Sequence, residues 1–155
     1  MEHVSLLREA IKVAVESVEN GGGPFGAVIA KDGRVIAKAG NRVTLDGDPT
    51  AHAEVLAIRQ AAEVLGRYEL SDCVIYTSCE PCPMCLGAIY WARIPEVYYG
   101  AHREDAKRVG FDDEFIYDEL AKAPGARRVK MSTMLRKDAV VCFEAWKDSP
   151  KKKAY

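Results

Sequence analysis

The sequence has almost no net charge and no long apolar run. Its 155 residues carry 22 Lys and Arg against 23 Asp and Glu, so the chain lacks the positive excess that neutralises a nucleic-acid backbone. Glu2, Glu9, Glu16 and Glu19 interrupt the first twenty residues, which argues against a signal peptide or a membrane span. These absences predict a small-molecule substrate, with neither nucleic acid nor membrane as a partner.

Cysteine is also scarce, and it is unevenly distributed. The chain has five cysteines, and Cys79, Cys82 and Cys85 fall within seven residues. An odd number crowded in this way is typical of metal binding in a reducing compartment and not of a disulfide framework. We therefore expect a cytoplasmic protein. The length predicts a single domain over residues 1–155.

Hydrophobic periodicity predicts alternating helices and strands. Apolar residues at helical spacing predict a first helix from Ser5 to Glu19, which the glycine run at 21–23 ends. The remaining expected elements are strands at 25–30, 35–39, 73–77, 97–100 and 128–134, a hairpin turn at 31–34, a loop at 40–50, and helices at 51–65, 83–91 and 139–146. Strands joined by helices indicate an α/β fold, in which sites lie at the carboxyl ends of the strands.

The strongest chemical signal is an H-x-E triplet at residues 52–54, followed by a C-x-x-C segment at residues 82–85. His52, Cys82 and Cys85 supply three ligands of a zinc site and leave the fourth tetrahedral position open for water, whose pKa zinc lowers toward ~7. Thr50 is expected to cap the helix that carries Glu54. From there Glu54 would take the proton of that water, pass it to a ring nitrogen and later protonate the departing amine.

A structural zinc module is an alternative interpretation of the same cluster. Cys79 would then join His52, Cys82 and Cys85 as a fourth ligand and close the site. Against this stand Glu54, which a closed site leaves without a role, and a chain that is 48% hydrophobic and long enough to fold without metal. Spacing by itself leaves both interpretations open, and release of ammonia from a purine or pyrimidine would decide between them.

The pair of motifs H-x-E and P-C-x-x-C is the signature of zinc-dependent nucleobase deaminases. Further segments extend the similarity: P-F-G-A-V at 24–28, D-P-T at 48–50, T-S-C-E at 77–80, L-G-A-I-Y-W-A-R at 86–93 and G-F-D-D at 110–113. On these residues the chain resembles the bacterial guanine deaminases of the cytidine deaminase-like fold. That resemblance implies a three-layer α/β/α structure with a central five-stranded mixed sheet flanked by helices.

The resemblance also implies residue roles. His52, Cys82 and Cys85 would bind one zinc ion, Cys79 would not, and Glu54 would be the catalytic acid and base. The residues that would line the base pocket are Phe25, Asn41, Trp91, Asp113 and Tyr155. The implied reaction is hydrolysis of guanine to xanthine and ammonia; a carboxylate such as Asp113 is an acceptor suited to guanine N1–H and amine donors, and Asn41 offers both a donor and an acceptor.

The C-terminal residues give two different expectations. Composition predicts that the segment Lys151 to Tyr155 is a frayed, solvated end. The resemblance implies instead a domain-swapped homodimer, in which residues from about 135 to 155 cover the partner's active site. Two other deaminase activities share the motifs: one on guanosine or another aminated heterocycle, and one on tRNA adenosine, which would require a basic face that this sequence lacks.

Overall fold

Four strands form the central sheet of the computed structural model, which describes residues 2–155. The strands are β1 (Gly23–Lys31), β2 (Arg34–Asn41), β3 (Cys73–Cys79) and β4 (Glu96–Ala101). They lie in the order β2-β1-β3-β4. The β1 strand pairs antiparallel with β2 and β3, whereas β3 and β4 are parallel. The predicted mixed sheet is confirmed, but its predicted fifth strand is wrong.

Seven α-helices accompany the sheet over the described residues. They are α1 (Glu2–Glu19), α2 (Val43–Asp46), α3 (Ala53–Leu65), α4 (Pro83–Trp91), α5 (Arg103–Arg108), α6 (Glu114–Ala121) and α7 (Arg136–Asp148). The bounds of α4 match the prediction, while α1 begins three residues earlier than predicted. The α2 helix lies within the segment that was predicted to be a loop. Among residues 2–155, no helix combines the length and the apolar character that crossing a membrane requires.

Alternating side chains of the sheet build a separate core on each face. Ala27, Ile29 and Ile75 pack with small residues of α3, such as Ala57. Their neighbours in sequence point the other way, and Val28, Ala30 and Tyr76 pack with α1. Because successive side chains of a strand face opposite sides, the two-sided apolar pattern gives three layers, with α1 on one face and α3 and α4 on the other.

The hairpin between β1 and β2 follows from two residues with positive φ. Asp32 and Gly33 have φ of 49° and 72°, and Lys31 pairs with Arg34 across the turn. A two-residue turn of this kind suits the twist of antiparallel strands, and an Asp-Gly pair is a strong sequence signal for it. The predicted hairpin is confirmed.

The segment at 128–134 was predicted as a strand, and it takes no regular structure. The backbone N–H of Arg128 donates to Glu119 Oε2 at 2.7 Å, and Arg127 Nε donates to the Glu119 carbonyl at 2.9 Å. The apolar residues that suggested a strand, Val129 and Met134, are exposed by 72% and 80%. A strand is stabilised by packing of a half-buried face, and these side chains have no such packing.

The chain divides into two compact units, one up to Glu114 and the other Phe115–Tyr155. The second unit contains α6, a short 3₁₀ turn (Pro124–Ala126) and α7. The α7 helix extends beyond the predicted 139–146 at both ends. Its apolar side chains are exposed, with Val141 at 63% and Phe143 at 73%.

Candidate active site

His52 lies at the junction between an extended segment and α3. It is the N-cap residue, with ψ of 149°, and its side chain makes no capping hydrogen bond. The prediction that Thr50 caps this helix is therefore wrong, because the Thr50 hydroxyl and N–H both donate to Asp48 Oδ1 in the preceding turn. With its ring free of a capping role, His52 extends beyond the helix end while Glu54 occupies the first turn.

The C-x-x-C segment begins the second helix in the same manner. Cys82 is the extended N-cap residue of α4, and Pro83 follows at the first helical position. Proline suits that position because its missing N–H would have no partner inside the helix anyway. Cys85 then lies within the first turn and is fully buried. Both cysteines and His52 thus meet where two helices begin, which is where the helix dipoles favour negative charge.

The ligand atoms of His52, Cys82 and Cys85 form a compact triangle. The two Sγ atoms lie 3.5 Å apart, and His52 Nδ1 lies 3.6 Å from Cys82 Sγ and 3.4 Å from Cys85 Sγ. Tetrahedral zinc with ordinary bond lengths places two sulfurs about 3.8 Å apart and a sulfur and a nitrogen about 3.6 Å apart. The donor set and its spacing therefore fit one zinc ion with an open fourth position.

Cys79 lies outside this group. Over residues 2–155, the cluster of potential metal ligands comprises His52, Cys82 and Cys85, and the Cys79 thiol instead donates to the carbonyl of His102 at 3.6 Å. Burial raises the pKa of the Cys79 thiol to about 11, so it stays protonated at neutral pH. The Cys79 thiol is thus directed to a backbone carbonyl and not to the triangle, which favours the open site over the closed one.

The charges at the triangle suit metal binding. A hydrogen bond with the Cys85 thiol lowers the pKa of Cys82 to about 4, although burial acts in the opposite direction. A hydrogen bond with Cys82 raises the pKa of His52, again against the effect of burial. The pair of thiols therefore favours the loss of one proton, and the thiolate is the form that binds metal.

Glu54 is a buried carboxyl group beside this triangle, with 7% of its surface exposed. Burial raises the pKa of Glu54, and a hydrogen bond with the Cys85 thiol partly opposes that rise. Because a general acid and base acts best when its pKa is near the working pH, the upward shift suits Glu54 to accept a proton and return it.

Asp113 follows α5 in the first unit and is partly buried. Burial raises the pKa of Asp113, and the negative charge of Cys82 raises it further. The preceding turn uses Gly110 at φ of 101°, and Phe111 then packs its ring edge against Phe25 with the centroids 5.0 Å apart. The fold thus brings Phe25 and Asp113, two predicted pocket residues, to the same end of the sheet as the cysteines.

Asn41 ends β2 and is held firmly by its neighbours. Its Oδ1 accepts the Val43 N–H at 3.1 Å, and the buried Ser17 hydroxyl contacts the carbonyl oxygens of Gly23 at 2.7 Å and Asn41 at 3.1 Å. A Cβ on Gly23 would lie 2.9 Å from Asn41 Cγ. The glycine run therefore makes room for Asn41. Sequence reasoning missed Ser17, whose only signal is a hydroxyl among the apolar residues of α1.

Trp91 and Tyr155, the two remaining predicted pocket residues, are both exposed. Trp91 ends α4 and is 64% exposed. It lies six residues after Cys85, which corresponds to about 9 Å along the helix and about 120° around it. Tyr155 belongs to the second unit and is 76% exposed. Their roles in a base pocket stay predictions.

The chain is similar to known deaminases to different extents. Guanine deaminase of Bacillus subtilis (strain 168) is 53% identical to the chain over 156 residues, which is 100% of both sequences. The crystal structure of guanine deaminase from Bacillus subtilis covers 100% of this chain and 99% of its own at a TM-score of 0.97, with 52% identity. A tRNA-specific adenosine deaminase of Agrobacterium fabrum is 53% identical over only 78 residues, 50% of this chain and 51% of its own.

The family model described as "Cytidine and deoxycytidylate deaminase zinc-binding region" matches residues 1–101. That range contains the whole sheet and the metal-binding triangle. The chain therefore belongs to the family of zinc-binding cytidine and deoxycytidylate deaminase domains.

Proposed function

We propose that this chain catalyses the zinc-dependent hydrolysis of guanine to xanthine and ammonia. The observation that carries the proposal is an open three-ligand zinc triangle with the buried carboxyl group of Glu54 beside it. The similarity to Bacillus subtilis guanine deaminase supports the choice of base, because it extends over the full length of both chains and includes the residues beyond the shared metal site.

His52, Cys82 and Cys85 would hold the zinc ion, which when bound lowers the pKa of a coordinated water and so supplies the nucleophile. Glu54 would accept the proton of that water and deliver it to a ring nitrogen. It would then take the second proton, from the hydroxyl group added to the attacked carbon, and pass it to the amine as that departs. One water is consumed and one ammonia is released, so the protons balance within the site. Burial of Glu54 excludes competing solvent.

Asp113 and Asn41 would select the base. The oxygen of the Asn41 side chain is occupied by the Val43 N–H, so its amide hydrogens are the groups available to acceptors of a purine. Asp113 would accept from guanine N1–H. Because unpaired buried polar groups are costly, such contacts discriminate strongly between bases.

Replacement of Asp113 tests its assigned role. We expect Asp113→Ala to reduce guanine turnover severely while zinc content, measured by atomic absorption, stays at one per chain. Equal loss of zinc and turnover would show instead that Asp113 holds the structure of the site.

For the C-terminal residues we propose exchange between two copies of the chain. The support is the exposed apolar surface of α7, including Phe143 at 73% and Val141 at 63%, together with an apolar groove of about 450 Å³ in the first unit that Ile11, Val15, Val18 and Val109 help to line. We place α7 of the second copy in this groove. Tyr155 of one copy would then join Trp91 and the other pocket residues of the second copy.

Complementation between two inactive variants tests the exchange. One variant carries Glu54→Gln and the other lacks residues 151–155, and the two are mixed, unfolded and refolded together. If tails are exchanged, the mixed dimer has one site with both Glu54 and a tail, so random pairing restores about one quarter of the activity. A tail that acts within its own chain restores none.

One assay compares the candidate substrates. Ammonia release from guanine, guanosine and adenine is measured with the same zinc-loaded protein, and we expect guanine to be preferred. Preference for guanosine or for adenine would replace the proposal. The tRNA activity has less support, because the similarity to the tRNA-specific enzyme covers half of the chain and the net charge is −1. The five free cysteines support our placement of the protein in the cytoplasm.

A further inference from the structure

An ion pair connects the cysteine-rich turn to the start of α5. Arg103 Nε lies 2.8 Å from Glu80 Oε2, and the two side chains are 36% and 22% exposed. Glu80 directly follows Cys79 and precedes the Pro81-Cys82 pair, and its own N–H donates to the carbonyl of Ala101 at 2.9 Å. Both the backbone and the side chain of Glu80 are therefore held in place.

The position of Asp113 depends on where α5 begins. The His102 N–H donates to Asp105 Oδ2 at 2.9 Å in a capping box. At the other end of the helix, the Phe111 N–H donates to the Ala106 carbonyl at 3.0 Å. Hydrogen bonds thus join the N-cap residue of α5 to its first turn and the segment that leads to Asp113 to its last turn, so we expect a shift at one end of this short helix to move the other.

The charges of the pair also reach Asp113. Burial is the main cause that raises the pKa of Asp113; among the charges, Arg103 lowers the pKa and Glu80 raises it. A second ion pair on the same helix provides a contrast. Its atoms Arg108 Nη1 and Asp105 Oδ1 lie 3.4 Å apart, and the two side chains are 77% and 47% exposed. Exposed pairs of that kind contribute little to structure.

We propose that Arg103 is a positioning residue for base recognition. Through Glu80 it sets the distance between the zinc triangle and Asp113, so that a base attacked at the metal has its donors at the Asp113 carboxylate. This role rests on the proposed function. It assigns a purpose to a charge pair that is not needed to hold the metal or to move a proton.

Kinetics of matched variants provide the first test. We expect Arg103→Met to raise KM for guanine roughly tenfold, with a smaller change in kcat, because misplacement of a recognition group by a fraction of an ångström weakens binding. Arg103→Lys, which keeps a charge for Glu80, should recover part of the loss, and Arg108→Met should have no effect. An unchanged KM in Arg103→Met, or the same rise in Arg108→Met, would overturn the proposal.

Hydrogen exchange provides a test that does not depend on activity. In zinc-loaded protein, the amides of residues 110–114 should exchange roughly tenfold faster in Arg103→Met than in Arg108→Met, while zinc content stays unchanged. If the parent protein releases no ammonia from guanine, the proposed function fails and the exchange result still decides the positioning role. If it does release ammonia but exchange and KM are unaffected by Arg103→Met, the positioning role is wrong.

Discussion

The metal triangle and the C-terminal unit differ in how far their side chains are buried. At the triangle, Cys85 is fully buried and Glu54 is 7% exposed, whereas Phe143 in the C-terminal unit is 73% exposed. Residues within one chain supply the metal-binding cluster, the proposed proton carrier and the hydrogen bonds of the first region. The second leaves large apolar side chains in water, which is costly unless something covers them.

This difference in burial distinguishes the residues proposed for the reaction from those proposed for recognition of the base. The triangle lies within the range matched by the family model, residues 1–101, and its parts would serve any deaminase that attacks a heterocycle with a zinc-activated water. Asp113 lies beyond that range, and so does Tyr155. The buried region therefore carries the reaction type, while the proposed choice of base depends on Asp113 and Tyr155 outside the matched range together with Asn41 within it.

Removal of zinc should have the largest effect and is the sharpest test of the buried region. Treatment with a chelator should abolish ammonia release, a loss beyond about 10⁴-fold, and added zinc should restore it. The far-ultraviolet circular dichroism should hardly change, because the metal ligands belong to neither of the two cores that pack against the sheet. They lie where α3 and α4 begin. Unfolding on chelation would instead indicate a structural zinc site.

Replacement of the proton carrier should come next. We expect Glu54→Gln, which keeps the size of the side chain, to reduce kcat by about 10²- to 10⁴-fold. Zinc content should remain at one per chain, because Glu54 supplies none of the three ligand atoms of the triangle. A variant that keeps most of its activity would refute the role of Glu54.

Removal of the tail tests the exposed region. Deletion of residues 151–155 should lower kcat/KM for guanine by about 10- to 100-fold through loss of Tyr155 from the pocket, with zinc content unchanged. Lys153→Ala is the matched control, since it alters the same segment and keeps the tyrosine. Unchanged kinetics of the deletion would show that the tail is a passive, solvated end.

Substitution of the third clustered cysteine should have the smallest effect. Cys79→Ser should leave zinc content unchanged and alter turnover by less than about twofold, because the triangle is complete without this thiol. The serine hydroxyl can still donate to the carbonyl of His102. Loss of zinc in this variant would show that Cys79 is a ligand and that the site is closed.

Several features of the fold were predictable because their causes are local. The Asp32-Gly33 turn follows from the positive φ of two adjacent residues, and α4 follows from proline at its first position. The metal ligands were predictable for a similar reason: the spacing of Cys82 and Cys85 allows both to reach one ion from a single helix start. The fifth strand at 128–134 was predicted from apolar content, and it failed because Glu119 takes the backbone N–H of Arg128.

The sequence by itself indicated the reaction class, since the H-x-E and P-C-x-x-C motifs together are the signature of zinc-dependent nucleobase deaminases. Only the tertiary structure decided how they meet. It made His52 the N-cap of α3, excluded Cys79 from the triangle, and placed Ser17 beneath Asn41 and Arg103 beside Glu80. The physical reason is that these contacts join residues 23 or more positions apart, whose proximity depends on the packing of helices on the sheet.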